Sequence, residues 1–362
     1  MFVKRISLSS FRNFNELVAE FANHLICFKG DNAEGKTNLI ESIYYLSVSK
    51  SFKKAEDKEL IEFNKTSSSL GLIYNSEIDG EHIIKIDILQ KGKIVYFDDI
   101  KQKSVATIVG KLPTVVYDPS SPMLFKQDPA SRRKIIDETL SNLSQNYLYN
   151  LTRYRKLMKE RNMALIQKYD EDVINVLTSE LSKLDYKIYI ERKNFVSRLN
   201  KEINSIYHEL FKQEDKLTLQ YISNVPHIED ENKFDESILE NFGKIRTIER
   251  IKAVTLIGIH RDDLIASIND QSVGSFASQG QNRITTLALK LAIGKIYEDN
   301  FKEKPVYLLD DVLSDLDEER QKLLISYFKK IGQVFVTTAG AINEEDFDSI
   351  YEIKNKEIRR RK

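Results

Sequence analysis

Gly30-Asp31-Asn32-Ala33-Glu34-Gly35-Lys36-Thr37 is the stretch that decides how this sequence folds. It fits G-x-x-x-x-G-K-[ST], follows the apolar run Leu25 to Lys29, and precedes the amphipathic positions Leu39, Ile43 and Leu46. The spacing predicts a strand, a loop and a helix over Asn38 to Val48. A glycine-bearing loop lets backbone N–H groups converge on phosphate oxygens, and the helix N-terminus behind it adds the positive end of a dipole. Lys36 then bridges the terminal phosphates, and Thr37 is placed to ligate magnesium.

Such a loop needs an acidic partner for its metal. Pro305-Val306-Tyr307-Leu308-Leu309-Asp310-Asp311 reads as a buried strand ending in two carboxylates. Asp310 is the expected magnesium holder and Asp311 the general base or water positioner for attack on the γ-phosphate. A third segment, Ser275-Phe276-Ala277-Ser278-Gln279-Gly280-Gln281, precedes the apolar-rich helix Ile284 to Ile296. Exposed N–H groups at that helix start form a second anion site, which two chains facing head to tail would use on each other's phosphate; a plain helix cap is the alternative.

Working outward, short β-type runs (Val3 to Leu8, Leu25 to Lys29, His82 to Leu89, Lys93 to Phe97 and Thr114 to Tyr117) fill the first part of the chain. Asp118-Pro119-Ser120-Ser121-Pro122 breaks regular structure, so a lobe boundary is expected near there. Leu143, Tyr147, Leu151, Tyr154, Met158 and Leu165 follow one helix face, and Ile174 to Leu210 a second. Two long amphipathic helices with a polar link at Lys168 to Asp172 predict an antiparallel hairpin, an arm from the head. An acidic linker follows around Asp230, then β-type runs at Ala253 to Ile259 and Leu264 to Ile268. The end alternates helix from Ser278, strand Pro305 to Asp310, helix Leu316 to Ile331 and strand Gln333 to Thr337, the rhythm of a parallel α/β layer. Three segments result: 1–122, 123–245 as a mainly helical lobe, and 246–362.

At 362 residues, with 41% hydrophobic and 30% charged, the chain is long enough for two lobes and has the composition of a packed soluble protein. No run of eighteen apolar residues or secretory signal is read, so the expected compartment is the cytosol, with no membrane partner. The lone Cys27 reads as a buried small hydrophobe. Lys plus Arg equals Asp plus Glu at 55 each, so net charge gives no pointer to nucleic acid, but the distribution is uneven. Arg153, Arg155, Lys156, Lys159, Arg161 and Lys168 face only Glu160 between Asn150 and Lys168, and the tail Tyr351 to Lys362 is basic enough to act as a mobile DNA tether.

At this point the residues resemble a known family. Gly30 to Thr37, Ser278 to Gln281 and Leu308 to Asp317 look like the Walker A, signature, and Walker B plus D-loop segments of RecF. Phe11-Arg12-Asn13-Phe14, Gly258 to Asp263 and Phe335-Val336-Thr337-Thr338 are similar to further RecF blocks. The resemblance implies an α/β, ABC-type P-loop ATPase head related to SMC proteins and split in sequence by a helical hairpin arm. ATP and Mg2+ would lie between two subunits. One chain would contribute Lys36, Thr37, Asp310 and Asp311, the other Ser278, Gly280 and Gln281, with Asp315 and Asp317 near the dimer seam. Dimerisation would follow ATP binding, and a weak, DNA-stimulated ATPase would act as a timer. Implied partners are double-stranded DNA, duplex/single-strand junctions, RecR and RecO, with RecA loaded downstream. The chain departs from the pattern at Ala33, where glycine is common, and at Asp118-Pro119-Ser120-Ser121 in place of Ser-Pro-Glu-Asp.

DNA contact is expected through phosphates. The candidates are Lys50, Lys53 and Lys54 past the P-loop helix, Arg132, Arg133 and Lys134, and the arm residues Arg153, Arg155 and Lys156. Two other readings share the nucleotide chemistry: the ATPase subunit of an ABC transporter, and a small-molecule P-loop kinase.

Overall fold

The computed structural model describes residues 1–22, 24–211, 215–314, 316–340 and 342–362. Two compact units emerge. The first comprises Met1–Ser121, Ile206–Gln213 and Thr286–Lys362; the second comprises Pro122–Ser205 and Glu214–Thr285. The stretch 246–285, grouped by sequence with the C-terminal segment, therefore clusters with the helical unit.

In the first unit the chain runs through β1 (Phe2–Phe11), β2 (Phe14–Glu20), β3 (Leu25–Lys29) and α1 (Lys36–Val48). It continues through β4 (Ser67–Ser76), β5 (Gly80–Leu89), β6 (Lys93–Phe97), β7 (Ile100–Lys101) and β8 (Thr114–Tyr117). Strict alternation sets the antiparallel sheet β2-β1-β4-β5-β6-β7: along β4, Ser68, Leu70, Leu72, Tyr74 and Ser76 turn inward while their neighbours face out. Leu39, Ile40 and Ile43 of α1 join that inner face in one core.

The second unit holds α2 (Pro129–Leu143), α3 (Gln145–Ile166), α4 (Glu171–Phe211), β9 (Leu217–Ile222), α5 (Glu231–Lys252), β10 (Asp263–Ile268), β11 (Gln271–Ser272) and α6 (Val273–Phe276). Helix α7 (Gln279–Phe301) leads back to the first unit, which closes with β12 (Val306–Asp310), α8 (Glu318–Phe328), β13 (Val334–Thr338), β14 (Ser349–Lys354) and β15 (Glu357–Arg360). These complete a second sheet, β15-β14-β3-β13-β12-β8, in which only β15 is antiparallel to its neighbour. Its central strands are buried throughout, which is why they read as continuous apolar runs. Cys27 lies on β3 with no exposed surface, and burial pushes its thiol up to about 12. Gln333 joins the two sheets: its amide accepts from Val3 N at 2.7 Å and donates to Val3 O at 3.0 Å.

The hairpin forms as the periodicity predicts from Tyr147 onward, whereas Leu143 ends α2 and Ser144 caps the start of α3 by accepting from Tyr147 N. Pairs Tyr147 with Arg192, Arg161 with Thr178, and the packed set Leu165 and Ile174 descend α3 as they climb α4, so the helices are antiparallel. The interior between them is polar to an unexpected degree. Arg161 and Glu249 form an ion pair with no exposed surface, closed by Thr178, Thr255 and the face of Phe242. Arg192, 1% exposed, holds Asp137, Asp262, the Tyr147 hydroxyl and the Ile259 carbonyl at once.

Four expectations change. The acidic linker is the first half of α5: Asp230 caps it by accepting from Lys233 N, and Phe234, Ile238 and Phe242 form its buried stripe. Ala253 to Ile259 is not a strand; it caps α5 in a left-handed turn at Ala253 and enters the single turn Ile259–Arg261. The basic tail is not a loose tether, because β15 pairs with β14 and Lys362 donates to Glu344 O and Phe347 O. Arg161, counted among the basic residues between Asn150 and Lys168, is inside.

Removing one partner of a fully buried pair strands a charge. Arg161→Ala is expected to cost about 3–5 kcal/mol in urea unfolding, whereas Arg161→Met combined with Glu249→Leu recovers most of the loss.

Candidate functional site

The P-loop owes its shape to close approaches that exclude side chains. A Cβ on Gly30 would stand 2.3 Å from the Ile353 carbonyl oxygen; Gly35 has φ 109° and a Cβ there would stand 2.5 Å from Asn13 Nδ2. Asn13 braces the loop, donating to Glu34 O at 3.1 Å and accepting from Asn38 Nδ2 at 2.8 Å. Beside it Arg12 grips the buried Glu41 of α1 with two bonds of 2.8 and 3.0 Å, and Glu41 also accepts from Ser51 and faces Lys53. Helix α1 has no side-chain cap and no acidic residue in its first turn, so its leading N–H groups remain available to an anion. Asp31, Asn32 and Glu34 form the rest of the loop, and Ala33 stands in the left-handed region at φ 69°.

Lys36 curls over the loop and donates to Gly30 O and Asp31 O, each at 2.7 Å. Burial holds its ammonium below the usual lysine range, opposed by Asp310, Asp311, Asp31 and Glu34. Asp310 ends β12 at 2% exposure; its Oδ1 accepts from Thr337 Oγ1 at 2.5 Å, while Oδ2 is buried with no hydrogen-bond partner. Desolvation raises its pKa, against the pull of the Thr337 and Thr37 hydroxyls and Lys53. Asp311 is exposed at φ 54° and its N–H donates to the same Thr337 Oγ1 at 2.9 Å. Among the described residues no three acidic, histidine or cysteine side chains gather as a metal cage. The free Asp310 oxygen beside Thr37 nevertheless fits magnesium, which takes few protein ligands and completes its octahedron with phosphate and water.

A cleft of about 600 Å³ opens beside Asn13, Asn38 and Lys53 and is walled by the 87% exposed Phe63 and by Glu62, whose Oε2 lacks a partner. Sequence reasoning named neither of these two, nor the bracing role of Asn13 or the part of Thr337. Their signal lies in pairings across the chain, which no local spacing contains.

In the second unit Ser278 and Gln281 form a reciprocal cap at the start of α7: Ser278 N donates to Gln281 Oε1 at 2.9 Å and Gln281 N to Ser278 Oγ at 3.1 Å. Ser278, Gln279 and Gly280 are exposed, and a Cβ on Gly280 would meet only Ser278 Oγ, at 3.9 Å. Nothing inside the chain therefore requires glycine there. Asp315 lies outside the described residues; Asp317 caps α8 by accepting from Arg320 N.

The basic candidates divide sharply. Arg132 is committed to Asp263 and to the Gln127 carbonyl, and Arg133 to the Asp262 carbonyl, so both are structural ties. Lys53 serves Glu41 and Asn38. Lys50 and Lys54 are exposed. Lys134 pairs with Glu138. Arg153, Arg155 and Lys156 project from α3 toward Glu180, Asp137 and Glu160, with side chains 48%, 52% and 79% exposed.

A parallel sheet whose strand ends present a P-loop, a buried carboxylate and an exposed one defines an ABC-type P-loop ATPase head. The model of the RecF/RecN/SMC N terminal domain matches residues 2–361. The chain is 35% identical to the DNA replication and repair protein RecF of Clostridium tetani, over 99% of both chains, and 34% identical to that of Bacillus velezensis, over 97% and 96%. It belongs to the RecF family of DNA replication and repair proteins. The solved structure of the recombination mediator protein RecF-ATP in the RecFOR pathway superposes with a TM-score of 0.92 at 30% identity, covering 99% of this chain and 97% of that one. An Smc head bound to the C-winged helix domain of ScpA shares the fold at a TM-score of 0.60 and 14% identity, with 99% and 97% covered. The family settles the choice against the transporter and kinase readings; no helix among the described residues is long and apolar enough to cross a membrane.

Two stability measurements follow. Ala33→Gly relieves a left-handed alanine and should stabilise the protein by about 1 kcal/mol, while Gly35→Ala should destabilise it. Asp310 has a raised folded-state pKa, so its contribution is fullest below the unfolded carboxylate value and is lost as pH rises through the folded one. Asp310→Asn should therefore raise the melting temperature of nucleotide-free protein at pH 7, with the gain shrinking as the pH approaches 3.

Proposed function

We propose that the chain binds ATP with Mg2+ and uses it to close a head-to-tail homodimer on DNA. Gly30 to Gly35 cradle the phosphates, Lys36 exchanges its two loop carbonyls for phosphate oxygens, Thr37 and Asp310 hold the metal, and Asp311 positions water. The nucleoside end lies in the cleft at Asn13, Asn38 and Phe63. Ser278, Gly280 and Gln281 serve the phosphate of the other subunit, near a seam that includes Asp315 and Asp317. The observation that carries this reading is the pairing of a complete phosphate and metal corner with an exposed capped helix start whose glycine has no internal purpose.

DNA contact falls on the exposed cations, Arg153, Arg155 and Lys156 on α3, with Lys134, Lys50 and Lys54 in support. The contacts are to phosphate, so they read duplex and duplex/single-strand junctions by shape and charge, and log affinity falls with log salt at about 0.9 per phosphate neutralised. Hydrolysis is slow, is stimulated by DNA and releases the dimer. In this role the protein acts with RecR and RecO to place RecA at gaps.

Sedimentation with and without ATP tests the dimer. Lys36→Arg is expected to abolish ATP-dependent association. Ser278→Arg should abolish it while leaving ATP binding by the monomer intact, since the new side chain blocks only the neighbour's phosphate. A Ser278→Arg protein that dimerises as before would overturn the shared site.

A further inference from the structure

The Thr337 hydroxyl is the only group bonded to both consecutive acidic residues at the end of β12 among the contacts described. It donates to Asp310 Oδ1 at 2.5 Å and accepts from the Asp311 N–H at 2.9 Å. A carboxylate on one side and an N–H on the other leave the hydroxyl proton a single direction, toward Asp310. Thr337 is 1% exposed and stands directly opposite Asp310 in the parallel register of β12 and β13, so its position is set by the sheet and not by a loop. β-Branching leaves the side chain few rotamers, so the hydroxyl is held where the strand puts it.

Two consequences follow from that one atom. Tying down Oδ1 fixes the carboxylate plane and leaves Oδ2, buried and without a partner, as the oxygen free to act beside Thr37. Holding the Asp311 N–H fixes the first backbone step beyond the strand, where Asp311 turns into the left-handed region at φ 54° and its side chain is exposed. A non-glycine residue persists there only when its surroundings hold it.

We propose that Thr337 is a positioning residue that sets the metal-facing oxygen of Asp310 and the backbone turn of Asp311 together. The inference rests on the reading of Asp310 and Asp311 given above and deepens it: Thr337 touches neither nucleotide nor metal, and acts through the two carboxylates. Groups of this kind, one bond removed from a metal site, typically change metal affinity or activity by about 10–100-fold when lost.

Equilibrium binding of a fluorescent ATP, mant-ATP, titrated with Mg2+ tests it. Thr337→Val keeps the shape and removes the hydroxyl; it should raise the Mg2+ concentration needed for half-maximal binding by about 10–100-fold, leave binding in EDTA unchanged, and lower kcat for hydrolysis more than it alters KM for ATP. Thr337→Ser keeps the hydroxyl and should restore the wild-type Mg2+ titration. If the valine variant fails to fold, Thr337→Ala reads the same loss. A valine variant that titrates like the unaltered protein, or a serine variant as impaired as valine, would overturn the positioning role. Unaltered protein that binds mant-ATP with no response to Mg2+ would instead overturn the metal reading of Asp310, and this inference with it.

Discussion

The parallel register of three strands is the constraint on which the nucleotide corner depends. Asp310 lies opposite Thr337, and Thr337 lies opposite Phe28, two residues before the P-loop begins. A slip of one residue between any two of these strands would turn Asp310 or Thr337 to the other face of the sheet. Burial on both faces makes that slip costly, since Leu308, Leu309, Phe335 and Val336 have no exposed surface. The corner is thus precise because the sheet beneath it is apolar. Only where the strands end do polar groups appear, and there each is held by another: Asp310 by Thr337, Asp311 by Thr337, Lys36 by the loop's own carbonyls.

The second unit is organised on a different principle. Its helices enclose two arginines whose carboxylate partners are buried with them. Such pairs add little net stability over apolar side chains of the same size. What they impose is geometry: Arg192 needs Asp137 on α2, Tyr147 on α3 and Asp262 before β10 in their places at once. The chain continues outward, because Asp137 also receives the exposed Arg155.

The sequence made some of this legible and hid the rest for physical reasons. The P-loop, the strand ending at Asp310 and the long helices of the hairpin were readable because each is local: a motif of fixed spacing, a run buried on both faces, a stripe of period 3.6. Strand β4 was harder, since Ser67, Ser68, Ser69 and Gly71 dilute its alternation. Helix α5 was obscured by Glu231, Glu236 and Glu240 on its exposed side and by Glu229 and Asp230 just before it, although Phe234, Ile238 and Phe242 mark its inner one. The basic tail and Arg161 misled in the same way: charge counted along a segment says nothing of which side chains turn inward. Asn13, Gln333 and Thr337 owe their roles to partners across the fold, so no window of sequence contains them.

The lone cysteine has a practical consequence. Cys27 is sealed within β3 and its thiol titrates far above neutrality, so the native protein offers almost no thiolate to an alkylating dye. A cysteine introduced on the exposed face of α3 would be the single reactive thiol in each chain. Two such chains would carry one fluorophore apiece, and energy transfer between them would test whether two copies approach each other, with the native cysteine left in place.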